Sequence, residues 1–360
     1  MFKPILFTAT LLLTTIVATH NTEDTGVSIH KAQSEETARL IEMIDSSFEQ
    51  PVPDSPTKAA KVFLSTLSPE DQHRVQLDFK EETVMNWDNA PLHEETRNGA
   101  SFHELNAENI RAALQLIRST QSEEGYKQLT DVMKADAFLH TDNTDDTLGA
   151  GLYSISIHGT PSDDDVWMLQ FSGHHLAKNI VIHENVAHVT PQFLGVEPGQ
   201  FTWWDGVTYE PLHDEKNSLQ TLFDSLSEEQ IDAAKLGELH EDIVLGPEKD
   251  NSFPEKMGIA YSALSAQQQE LFKDVVTTWT AASPESETVN AYLEEVALNE
   301  TTIAWSGHSD MNEPSAYARI DGPRVWLEWS AKEGASNASD PHFHTVWRDK
   351  QFDYAGEFVD

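Results

Sequence analysis

"VWMLQFSGHHLAKNIVIHENVAHVTPQF", residues 166–193, decides how the rest of the chain is read. Its apolar residues alternate or run together over four to eight positions, interrupted at Gly173 and at Glu184-Asn185. Runs of this length with turn residues between them are strands joined by hairpins. Gly173 reads as the tight turn between "VWMLQF" and "LAKNIVI". Side chains along a strand point alternately to its two faces, so His175, Ala177 and Asn179 share one face and His174 and Leu176 the other. Ile180 and Ile182 make the His174 face apolar, which leaves His175 and Asn179 toward an open, polar cleft. "HENVAH" is not a metalloprotease helix, because His183 and His188 are too far apart for the His-Glu-x-x-His pattern and lie in a strand context. Both read as surface residues of a hairpin.

Ahead of this stretch the apolar period is helical. "SPTKAAKVFLSTL" offers Ser55 as a helix cap with Pro56 next, "SPEDQHRVQLDF" starts a helix at Ser68, and more follow from Asn106. The order then returns. "LFDSLSEEQ" around Ser227 echoes "FLSTLSPED" around Ser68, and "LSAQQQELFKDVVTTW" from Leu264 echoes "LNAENIRAALQLIRST" from Leu105, both displaced by 159 residues. "ARIDGPRVWLEWS" echoes "LQFSGHHLAKNIVI", with Gly322 against Gly173. The expectation is an α+β fold, helices plus largely antiparallel strands, in two related halves of about 51–200 and 218–360. A connector over about 191–217 separates them, and both Gly hairpins face one cleft.

The first residues, "MFKPILFTATLLLTTIVATH", carry an apolar run from Ile5 to Ala18, short for a membrane span and suited to a secretory signal over 1–20. A secreted or periplasmic protein with no membrane attachment after signal removal is expected, with a flexible acidic lead-in over 21–50. Sixty-one acidic residues against 23 basic ones give a net charge of −38. That excludes nucleic acid as a partner, since neutralising phosphates takes clustered Lys and Arg. There is no cysteine, so any metal site uses His, Asp, Glu, Asn or backbone oxygen.

"SGHHLAKN" followed by "TPQFLGVEPG", then "AWSG", "IDGPRVWLEWS" and "HFHTVWRDKQFDYAGEF", resembles the domain-of-unknown-function 3500 family, from about Pro51 to the carboxyl terminus. The resemblance implies no particular chemistry, and His183 and His188 depart from the family pattern.

The residues themselves suggest more. His342 and His344 stand two apart on a strand and so share a face, where both imidazoles can converge on one ion. Arg348 lies on that face, and Trp347 and Asp349 on the other, as candidates for ligand contacts together with Asn179. A third nitrogen comes from His174 or His175. By the echo between halves, Arg324 and Glu328 stand where His175 and Asn179 stand in the first half. Imidazoles with an optional carboxylate suit a divalent zinc, iron, manganese or copper ion. The leading expectation is therefore a metal-dependent hydrolytic enzyme with His174, His175, His342 and His344 as metal ligands. Arg324, Glu328 and Arg348 would be its catalytic groups, acting on a small-molecule substrate. Two alternatives stay open: a secreted small-ligand-binding protein without turnover, and a cofactor-free enzyme with a His general base.

Overall fold

A computed structural model describes residues 23–360 except 93–96, 144–145, 285, 336, 339 and 357–360. The apolar run read as an export signal lies outside the described residues. The first element is a helix, α1 (Glu23–Ser47), where a flexible lead-in was expected. Its carboxyl-terminal half buries Leu40, Ile41 and Ile44, and this apolar stripe orders the segment. Arg118 closes the helix end by donating to the carbonyls of Ser47, Phe48 and Gln50 at 2.5, 3.2 and 2.6 Å. In α2 (Pro56–Thr66) the Ser55 hydroxyl accepts the Lys58 N–H, with Pro56 at the first turn, as the sequence predicts. Then come α3 (Pro69–Val75), β1 (Gln76–Leu77), α4 (Glu81–Val84), β2 (Ala100–Ser101), α5 (Ala107–Ser119) and α6 (Glu123–Asn143).

The strand run yields β3 (Ser154–His158), β4 (Trp167–Gly173), β5 (Leu176–His183), β6 (Val186–His188) and β7 (Gln192–Val196). Gly173 is not itself the turn. It pairs with Leu176, and His174-His175 form the two-residue connection, with His175 at φ +60°. Glu184-Asn185 do make the next turn, both at positive φ, the geometry a two-residue hairpin favours. β7 falls within the expected connector, yet it is a sheet strand with every residue buried. The chain leaves the sheet only afterwards, in the ribbon β8 (Phe201–Thr202) and β9 (Thr208–Tyr209). The remaining elements are α7 (His213–Asp224), α8 (Glu228–Ala234), β10 (Ile259–Ala260), α9 (Ala266–Trp279), α10 (Ser286–Tyr292), α11 (Glu295–Asn299), β11 (Thr302–Ser306), β12 (Tyr317–Asp321), β13 (Val325–Glu333) and β14 (Pro341–Asp349).

These strands form one sheet in the order β1-β3-β4-β5-β7-β14-β13-β12-β11-β10, with β2 beside β3 and β6 beside β5. Only β1 and β3 run parallel. The fold is α+β. On each side of the central β7–β14 pair a short strand (β2, β10) leads through a single 3₁₀ turn into a helix with a capping box (α5, α9), and then into consecutive antiparallel strands. Alternation sorts the core. Leu169, Phe171, Leu176, Ile180, Leu327, Trp329, Phe343 and Trp347 pack with the helices. Met168, Ala177, Val181, Phe193, Trp326 and Val346 face the other way, under Val84, Trp87, Leu245 and Tyr354. No helix among the described residues is long and apolar enough to cross a membrane.

Residues 236–258, which have neither helix nor strand, cover this second face and are fastened to it by two buried charges. The Glu328 carboxylate accepts the N–H groups of Val244 and Leu245, the Trp326 indole N–H at 2.6 Å and the Tyr317 hydroxyl at 3.0 Å. The Arg348 guanidinium donates to the carbonyls of Leu245 and Gly246 at 2.9 and 3.1 Å and to Asp250 at 2.8 Å. Removing one partner of a buried ionic pair leaves the other uncompensated. Arg348→Met is therefore expected to lower unfolding stability by about 3–5 kcal/mol in urea titrations, with the loosened loop detected as faster amide exchange at Leu245 and Gly246.

His158, on β3, sets a pH dependence. Burial pulls its imidazole from the ordinary 6.5 down to about 4, and its Nδ1 is buried without a partner. Below about pH 6.5 the unfolded chain takes up a proton that the folded chain refuses, so stability falls as pH drops toward 4 and is unaffected above 7. In His158→Gln the slope of stability against pH between 6.5 and 4 should be shallower than in the wild type, measured by denaturant titration at each pH.

Candidate metal centre

Three imidazoles meet where the β4–β5 turn reaches the central strands. His342 and His344 project from one face of β14 because they are two residues apart. His175 comes from the turn, its backbone fixed by two hydrogen bonds: its N–H donates to the Asn89 carbonyl at 2.9 Å, and its own carbonyl accepts the Gly195 N–H at 2.7 Å. Gly195 stands opposite His344 in the ladder. A Cβ there would lie 2.8 Å from His175 Cδ2 and 2.9 Å from His344 Cδ2, so only glycine lets both rings close over β7. The Nε2 atom of His342 is 2.8 Å from that of His175 and 2.9 Å from that of His344. One nitrogen from each of the three residues lies within 4.8 Å of the other two, and all three residues are buried.

The groups behind the rings set their electronic state. His344 Nδ1 faces Asp242 Oδ1 at 2.7 Å, and His342 Nδ1 lies 3.4 Å from Glu197 Oε2. A carboxylate at Nδ1 places the proton there and leaves Nε2 with a lone pair. On this assignment the Nε2 lone pair of His344 faces Nε2 of His342 across 2.9 Å, while Nδ1 of His342 makes no hydrogen bond. Burial, then the neighbouring imidazoles, push the His175 imidazole well below its ordinary value and that of His342 down to about 3. His175 and His342 are therefore neutral at physiological pH, the state in which imidazole binds metal. Burial would raise the Asp242 carboxyl, but the hydrogen bond from His344 and the ammonium of Lys332, at 2.7 Å, hold it well below its ordinary value. Rings oriented and made more basic by outer carboxylates are the usual surroundings of histidine ligands.

The other residues singled out from the sequence lie elsewhere. His174 belongs to the same turn and stacks on His175 with ring centroids 3.7 Å apart, but its Nδ1 is turned to Asp136 at 2.7 Å and it is outside the three-residue group. Asn179 is about 13 Å further along β5, accepting from Gln170 at 2.8 Å and donating to the Pro191 carbonyl at 3.0 Å. Glu328 and Arg348 fasten the covering loop and point toward it from β13 and β14. Trp347 packs in the helix-facing core at 6.4 Å from Tyr292, ring centroid to ring centroid. Asp349 accepts from the Tyr292 hydroxyl at 2.7 Å and pairs with Arg324 at 2.6 Å, roughly 17 Å along β14 from His344 at about 3.4 Å per residue.

The expectation that both Gly hairpins face one cleft does not hold. β7 and β14 are antiparallel, so matching turns fall at different heights. Leu176, just past the β4–β5 turn, is level with Leu194 and through it with Thr345, while Val325, past the β12–β13 turn, is level with Asp349. Four contributors escaped the sequence reading: Asp136, Glu197, Asp242 and Gly195. For the carboxylates no local pattern marks them among 61 acidic residues. The isolated glycine inside the strand "QFLGV" was a usable sign of close approach.

No match to the chain was found among curated proteins or among solved structures. Residues 49–356 match the family model described as protein of unknown function (DUF3500), and the chain belongs to that family.

Proposed function

We propose that this protein is an exported metal-dependent enzyme, hydrolytic in type, with one divalent ion held by His175, His342 and His344. The observation that carries the reading is the convergence of three buried Nε2 atoms, two pairs of them 2.8 and 2.9 Å apart, with carboxylates behind two of the rings. Imidazoles that served only to hold the core together would turn their nitrogens to main-chain or side-chain partners rather than to one another. Three imidazoles suit zinc, iron, manganese or copper, and a site with three protein ligands keeps a position open, as catalytic sites do. An ion of this kind polarises a substrate oxygen or activates water. The chain's own contribution is to orient the rings, through Asp242 at His344 and through the glycine at 195, which lets His175 and His344 close over β7.

Export is proposed on the apolar run Ile5–Ala18. A duplicated ancestry of the two halves is proposed on the echoes at 159 residues and on the recurrence of short strand, 3₁₀ turn and capped helix on both sides of the sheet.

Purified protein is expected to carry one divalent ion per chain by elemental analysis. His342→Ala and His344→Ala should each lose it while keeping the wild-type far-ultraviolet circular dichroism. Equal metal in wild type and both variants would remove the reading. Asp242→Asn keeps the ligands but weakens the support for His344, so metal affinity should fall about 10–100-fold, measured by competition with a chelator. Turnover of an ester, phosphate and glycoside panel by the loaded protein, abolished with the metal, separates an enzyme from a binding protein.

A further inference from the structure

On the helix side of the sheet, α6, α7 and α9 leave a cavity of about 740 Å³ between them. His342 and His344 project from β14 on the side opposite Phe343, which packs with the helices, so this cavity is separate from the candidate metal centre. Six carboxyl groups line it, Glu124, Asp131, Glu210, Asp214, Glu215 and Asp274, against one ammonium, that of Lys127. Lys127 is committed to Asp131 at 2.5 Å, and Glu210 faces His213 Nδ1 at 2.7 Å and accepts from Gln200 at 2.6 Å. Glu124, Asp214 and Asp274 stand exposed at the rim.

Glu215 differs from the rest. It is only 7% exposed; its Oε1 accepts from Gln128 at 2.5 Å, and its Oε2 is buried with no hydrogen-bond partner. Gln128 lines the same cavity and gives its second amide hydrogen to the Pro211 carbonyl at 3.1 Å, so it has no donor left for Oε2. Lys178 on β5, whose charge Glu215 feels, donates to Gln192 instead. Burial lifts the Glu215 carboxyl to about 7. A buried acceptor left open costs free energy until something completes it, and the cavity that Glu215 lines is the room from which a donor can reach it. The carboxyl groups are not gathered for a single ion: among the described residues the group able to hold a metal is the three imidazoles. They are spread around the cavity with Pro211, Leu271 and Ala282 in the wall beside them. Such a lining matches ammonium groups joined by methylenes, whose stems lie on apolar surface while each head meets a carboxylate.

We propose that this cavity is a second binding site, for an aliphatic amine with two or more ammonium groups, and that Glu215 receives one of them through Oε2. The site stands whether or not the imidazoles hold a metal. The ammonium supplies the donor that Gln128 and Lys178 do not, and the acidic rim, in a chain whose net charge is −38, draws the cation in.

The test is calorimetric titration of the purified chain with spermidine, butylamine and calcium chloride, in salt of about 150 mM so that attraction beyond roughly 8 Å is screened. Wild type should bind one spermidine per chain, and butylamine, with its single ammonium, at least tenfold more weakly. Glu215→Gln should weaken spermidine binding about tenfold at unchanged circular dichroism, whereas Glu313→Gln, at an exposed acid away from the cavity, should leave it unchanged. Equal losses in Glu215→Gln and Glu313→Gln would mean diffuse surface attraction and overturn the proposal. So would the absence of spermidine binding by wild type, or calcium that binds more tightly and displaces spermidine. Should Glu215→Gln fail to fold, Thr221→Lys decides, because it adds an ammonium to the exposed lining. Spermidine affinity in Thr221→Lys within twofold of wild type removes the site, and a tenfold loss sustains it.

Discussion

The antiparallel pairing of β7 with β14 is the constraint on which the rest depends. Five residues of β7, Gln192 to Val196, are all that join one set of strands to the other within the sheet. That short seam sets Gly195 opposite His344, and the missing side chain at 195 lets His175 lie against the strand that carries the other two imidazoles. A slip by one residue would turn His342 and His344 into the helix-facing core and bring Phe343 out in their place. The alternation of Phe343 and Trp347 on one side with His342, His344 and Arg348 on the other therefore fixes both the core and the candidate centre through a single register.

Charge is organised in two ways in this chain. Over the chain the acidic residues outnumber the basic ones, and exposed ion pairs such as Lys58–Asp54 and Lys273–Glu270 engage only some of them. Around the imidazoles the carboxylates are few, buried or half-buried, and each is spoken for: Asp242 and Glu197 behind ring nitrogens, Asp136 behind His174. Glu328 is a third kind, a carboxyl that burial holds above its ordinary value despite four donors, and whose work is to seat a loop. The same loop carries Asp242, so the orientation of His344 depends on Glu328, a residue of the neighbouring strand β13, level with Val346.

Much of this was legible in the amino-acid order. The strand alternation, the hairpin at Glu184-Asn185, the Ser55 and Ser68 caps and the shared face of His342 and His344 follow from short-range periodicity, and the structure has them. His175 was preferred over His174 on the basis of strand faces. It does join the group, but through its place in a two-residue turn, where alternation no longer governs. Arg324, Glu328 and Asn179 were grouped with the histidines by analogy between halves, and antiparallel geometry separates them by several residues' rise. Asp242 and Glu197 lie 102 and 145 positions from their imidazoles, and contacts of that span leave no periodic trace.

The first described helix ends before the family match begins at residue 49. Its buried stripe of Leu40, Ile41 and Ile44 nevertheless belongs to the main core, and Arg118, deep within the matched region, is committed to the carbonyls at its end. The unit recognised by descent and the unit that excludes water are thus not the same length. A chain cut at the boundary of descent would bare an oily strip on its helical layer and leave the Arg118 guanidinium one of its three carbonyls, that of Gln50.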